Sequence, residues 1–90
     1  MIKPIIVNNI PPPMGGVQKL YRFPNNYGAS VVRHTGSYGF EKNLWELAVI
    51  KWTGDKFALC YDTSITSDVI GNLTEDGVEK ILLEIELYPL

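Results

Sequence analysis

His34 is the single histidine of the sequence and Cys60 its single cysteine. With Ser30 and Asp62 they are the residues from which a nucleophile and its base could be assembled. A thiol or hydroxyl becomes a useful nucleophile only beside a base that is itself oriented by a third group. No local signature of that arrangement is present. Ser30 has no Gly-x-Ser-x-Gly elbow around it, and Cys60 stands in an apolar run from Phe57 to Tyr61, the setting of a buried, inert thiol. A structural zinc site needs about four nitrogen or sulfur ligands, more than one histidine and one cysteine supply. Gly36-Ser37-Tyr38-Gly39 lacks the Lys-Ser/Thr of a phosphate loop, and the acids near the C-terminus do not fall in the Asp-x-Asp-x-Asp-Gly pattern of a calcium loop. No catalytic, cofactor-binding or metal-binding residue is assigned, and no cofactor is expected.

Recognition chemistry is better represented. Tyr21, Arg22, Tyr27, Arg33, His34 and Tyr38 are polar or aromatic residues that the turn pattern places in or beside loops. Tyrosine and arginine dominate binding hot spots because each buries a large area yet keeps polar handles. From this group Tyr27, Arg33, His34 and Tyr38 are the expected partner-binding residues, with the last three projecting near one edge of the sheet.

Charge narrows the class of partner. The net charge is −2 over 90 residues, without the cationic footprint that phosphate contacts require, so nucleic acid is disfavoured. The distribution is polar. Residues 1–40 carry Lys3, Lys19, Arg22 and Arg33 and no acid, whereas residues 61–90 carry seven acids against Lys80. The two halves attract one another in the fold, or an acidic helix face is offered to a basic partner.

The elements that must position these groups are legible from punctuation and periodicity. Pro11-Pro12-Pro13-Met14-Gly15-Gly16 breaks the chain, so residues 1–16 read as a flexible N-terminal arm with a short edge strand at Ile5–Val7 and a Pro/Gly tether. Residues 17–90 then form a single α+β domain. Val17–Phe23 and Ala29–His34 suit strands around the turn residues Pro24-Asn25-Asn26-Tyr27-Gly28. Asn43–Trp52 and Lys56–Tyr61 form a hairpin about Thr53-Gly54-Asp55, and the first of its strands is apolar on both faces and so central. Val69-Ile70-Gly71 reads as one helical turn closed by glycine. Thr74 caps a helix whose Val78, Ile81, Leu82 and Ile85 recur at i, i+3, i+4, i+7, with Pro89 as its stop. The predicted fold is a small antiparallel sheet of three to five strands with one amphipathic C-terminal helix packed on one face.

With 46% hydrophobic and 20% charged residues this is the composition of an ordinary globular chain, and no apolar run approaches the ~20 residues of a membrane span. Pro4 interrupts the only apolar patch near the N-terminus, so the cytoplasm is the expected compartment and no membrane partner is expected. Leu83 and Leu87, together with the Ile5-Ile6-Val7 arm, are apolar surface that a small monomer covers poorly, and a homodimer by arm exchange is expected.

Residues Phe23-Pro24-Asn25-Asn26-Tyr27-Gly28-Ala29-Ser30-Val31-Val32-Arg33-His34, Ser37-Tyr38-Gly39, Leu44-Trp45-Glu46-Leu47-Ala48-Val49 and Tyr61 through Glu75 resemble a group of small uncharacterised proteins encoded by bacteriophages and prophages. The resemblance covers roughly residues 23–76. It implies a setting, the host cytoplasm during infection or lysogeny, and no mechanism. Three functions stay open: a non-enzymatic accessory protein that binds a host or phage protein, a small enzyme or ligand-binding protein of anti-defence, and a structural or assembly protein of the virion. A deep pocket lined by Arg33 and His34 would favour the second, and exchange of the arm the third.

Overall fold

A computed structural model describes residues 2–34 and 42–89. Among these residues six strands form one antiparallel sheet: β1 (Ile6–Ile10), β2 (Gly16–Arg22), β3 (Tyr27–His34), β4 (Trp45–Thr53), β5 (Lys56–Leu59) and β6 (Ile70–Leu73). A helix, α1 (Glu75–Glu86), follows. The α+β class and the C-terminal helix are as predicted. The strand order is β1-β2-β3-β4-β5, with β6 also paired to β4.

β4 is central, as its two apolar faces require. Leu47 and Val49 pack toward α1, while Ile50 and Trp52 form a smaller cluster with Leu20 on the opposite face. Complete burial of such side chains stabilises by ~1.5–3 kcal/mol each, which is why this strand anchors the sheet. It joins β5 through Gly54-Asp55, with Thr53 opposite Lys56 and Gly54 at φ +60°, the left-handed first position of a type II′ hairpin turn.

Two segments depart from the sequence reading. Val69-Ile70-Gly71 is not a helical turn: Ile70–Leu73 is strand β6, with Leu73 opposite Trp45 and Ile70 opposite Leu47. Because β5 pairs only with residues 50–53 of β4, the first part of β4 keeps unsatisfied backbone groups, and β6 supplies them. That non-local demand outweighs the local signal of Gly71. At the N-terminus the edge strand runs to Ile10 rather than stopping at Val7, in continuous register from Ile6 opposite Leu20 to Ile10 opposite Gly16. The prolines form the turn of this β1–β2 hairpin, closed by the Gly15 amide donating to the Pro11 carbonyl at 3.1 Å. A turn tolerates residues without an N–H, which a ladder does not.

Thr74 caps α1 as expected, its hydroxyl accepting from the Gly77 amide at 3.1 Å, and Glu75 and Asp76 complement the first turn. Val78, Leu82 and Ile85 are buried against Tyr21, Ala29, Val31 and Leu47, with Ile81 partly buried beside them.

Candidate functional site

Alternation along β3 decides where the expected binding residues go. Successive side chains on a strand face opposite sides. Ala29 and Val31 belong to the helix-side core, so Tyr27 and Arg33 share that face, while Ser30, Val32 and His34 take the other. Arg33 and His34, adjacent in sequence, are therefore on opposite faces of the sheet. Tyr27 and Arg33 share a face but lie six residues apart, about 20 Å along the strand. Tyr38 lies outside the described residues. β3 is an interior strand, but Arg33 and His34 lie past its last pair with β4, Val32 opposite Glu46, and are paired only to Val17 and Gly16 of β2 at the end of the strand.

Each residue has structural neighbours. Tyr27 meets Tyr88 edge-on with ring centroids 5.0 Å apart and packs on the helix-side core. The Arg33 guanidinium lies 4.3 Å from the Trp45 ring centroid and donates to the Asn43 carbonyl at 3.2 Å. His34 is half-buried opposite Gly16. Neither of the two depressions described below is lined by Arg33 or His34.

The nucleophile candidates are dispersed in the same way. Cys60 packs at the margin of the helix-side core, on the face away from His34. Its thiol donates to an Asp62 carboxylate oxygen at 2.9 Å, and partial burial, followed by that hydrogen bond, raises the thiol pKa. It is half-buried rather than buried, because it follows an edge strand, β5, that leaves Phe57 and Leu59 exposed. Ser30 accepts from Gln18 at 3.1 Å, within a polar row that continues from Gln18 to Asn8. Among the described residues no three His, Cys, Asp or Glu side chains converge to hold a metal ion.

Two concave features stand out. A groove of about 320 Å³ runs along the outer flank of α1, lined chiefly by Ile65, Leu83, Leu87 and Tyr88. A cleft of about 360 Å³ lies where the chain start meets the helix start. The Ile2 amide donates to a Glu79 carboxylate oxygen at 2.8 Å, holding Ile2, Lys3 and Pro4 beside Val78 and over β2. Glu75 accepts from the Trp45 indole at 3.0 Å, and Lys19 sits 4.5 Å from the centroid of the same ring. Tyr21 also lines the cleft; burial, then the negative charges of Glu79 and Glu75, raise its hydroxyl pKa. The sequence marks Tyr21 as a polar aromatic and the helix as acidic. Their convergence with residues 2–4, over a separation of 77 positions between Ile2 and Glu79, has no local signal.

Comparison with protein-family models, with curated proteins and with solved structures finds no match to the chain. Among the described residues no helix is long and apolar enough to cross a membrane.

Proposed function

We propose that the chain is a small non-enzymatic accessory protein that binds a host or phage protein through the open margins of its sheet. The observation that carries this reading is where the exposed apolar side chains fall. Ile6 and Val7 lie on β1, Phe57 and Leu59 on β5, and Leu83 and Leu87 on the outer flank of α1. β1 and β5 each pair on one side only, so both offer unpaired backbone groups beside apolar side chains. That is the surface used in strand addition, where main-chain hydrogen bonds give affinity and alternate side chains give specificity. The resemblance of residues 23–76 to phage and prophage proteins supplies the setting, the cytoplasm of an infected or lysogenic host.

β1 bears no charged residue, so a second copy can approach it without repulsion. A homodimer, and through it a role in virion assembly, is the alternative that this feature favours. Affinity capture from infected-host lysate, run in parallel with wild type, Val7→Lys and Leu59→Lys, tests the reading. Both variants replace exposed residues and are expected to melt like wild type, and at least one loses the captured protein. Equal capture by all three removes the sheet margins from the binding surface. Light scattering of the purified chain separates a 10.1 kDa monomer from a dimer.

A further inference from the structure

β1 and β5 end the sheet among the described residues, and they are not equivalent edges. β5 is four residues long and begins on Lys56, a charge that resists pairing with another strand. β1 is five residues long, carries neither charge nor proline, and runs against β2 without a bulge. The devices that normally blunt an edge are missing from it. Its side chains are exposed from Ile6 to Asn9, and Ile10 is half-buried. Ile6, Asn8 and Ile10 lie on the face away from α1, since Ile6 stands opposite Leu20 and Asn8 opposite Gln18. Val7 and Asn9, opposite Lys19 and Val17, take the helix side.

We propose that β1 pairs antiparallel with β1 of a second copy about a twofold axis through Asn8, joining the two sheets into one. The inference rests on the reading that the sheet margins bind; it gives β1 to self-association and leaves β5 for another protein. A twofold axis normal to the sheet keeps both helices on one face, so even positions of β1 meet even positions. Three such registers pair at least three residues of each strand. Centring on Val7 sets Ile6 against Asn8, and centring on Asn9 sets Ile10 against Asn8, an apolar side chain on an amide in each case. Centring on Asn8 pairs all five residues, with Ile6 against Ile10 twice and Asn8 against itself. Directly opposite side chains are the unit of sheet stabilisation, so the matched register is the favoured one. Asn8 donates one amide hydrogen to Gln18 at 3.1 Å, which leaves its oxygen and second N–H for its counterpart. Pro4 and Pro11 flank the strand and have no N–H with which to extend the ladder. The contact is isologous and closes at two copies.

The test is light scattering of the purified full chain over a range of concentrations. Wild type is expected to reach about twice 10.1 kDa and to fall toward 10.1 kDa on dilution. Asn8→Lys and Asn8→Asp each set like charges face to face at an exposed position. Each weakens self-association by roughly tenfold while melting like wild type. Mixed in equal amounts the two variants associate again, because position 8 faces position 8. Leu59→Lys, on β5, associates like wild type. In a Cys60→Ser background, Asn8→Cys forms a disulfide dimer on oxidation. Ile10→Cys does not, since the two copies of position 10 are offset by roughly 13 Å along the strands, beyond the reach of a disulfide. The proposal is overturned if wild type stays at 10.1 kDa throughout, if the mixed variants do not associate, or if Ile10→Cys crosslinks as readily as Asn8→Cys. A wild-type monomer overturns self-pairing alone, because loss of the captured lysate protein by Leu59→Lys is a separate measurement of the margin reading.

Discussion

The Asn25 side-chain amide donates to the Ile85 carbonyl at 2.9 Å, tying the β2–β3 turn to the last turn of α1 across 60 positions of sequence. The same nitrogen reaches the Tyr88 carbonyl at 2.7 Å, and the side-chain oxygen accepts from the Tyr27 amide at 2.9 Å. The last carbonyls of a helix have no intrahelical partners. No basic residue stands in the final turn of α1; the Leu87 and Tyr88 amides reach the Leu83 and Ile85 carbonyls, and the turn residue from the sheet adds a side-chain donor.

Asn25→Ala removes these bonds; the Ile85 carbonyl keeps the Tyr88 amide at 3.1 Å, while the Tyr88 carbonyl loses its side-chain donor. A loss of ~1–3 kcal/mol is expected in denaturant or thermal unfolding. Asn25→Asp keeps the acceptor but loses the donors and sets a negative charge at the negative end of the helix dipole, so it unfolds at least as easily as Asn25→Ala. If Asn25→Asp melts like wild type, the turn does not cap the helix.

Gly28 lies opposite Arg22 in the β2–β3 register, against the Tyr21 backbone. A Cβ there runs into the Tyr21 carbonyl and comes within 2.9 Å of the Trp52 indole nitrogen, which itself donates to that carbonyl at 2.9 Å. Neither neighbour is a flexible side-chain end. Gly28→Ala is expected to cost more than ~2 kcal/mol, the range of overpacking with a disturbed buried hydrogen bond. Gly54→Ala meets no neighbour and suffers only from its positive φ, so it is the milder substitution. Equal melting of the two variants refutes this ordering.

Arg33 covers the Trp45 ring from the end of β3. Arg33→Ala is expected to lower stability by ~0.5–1 kcal/mol through loss of that contact, and Arg33→Lys to recover part of it. A binding role adds loss of partner capture to this small stability change. An Arg33→Ala protein that melts like wild type shows the ring contact to be energetically silent.

Stability is expected to fall on the alkaline side. The Tyr21 pKa is raised by folding, so the neutral hydroxyl favours the native state. That contribution is complete below the unfolded pKa and is lost as pH rises through the folded one. Wild type is therefore expected to lose more stability than Tyr21→Phe once the pH rises above the ordinary tyrosine value of ~10, as read by urea midpoints. Parallel curves for the two proteins contradict the raised pKa.

The local elements were written in residue order. Thr74 and the Val78, Ile81, Leu82, Ile85 spacing specify the helix and its buried face because cap and period act within a few residues of chain. The apolar run ending at Trp52, with Gly54 after it, specifies the central hairpin for the same reason. Tertiary structure alone decided the rest. β6 forms because β4 has backbone left to pair, a demand that arises only once β5 has ended. Tyr21 meets Glu75 and Glu79 only after β2 and α1 have docked. Those are contacts between distant positions, and no pattern in neighbouring residues encodes them.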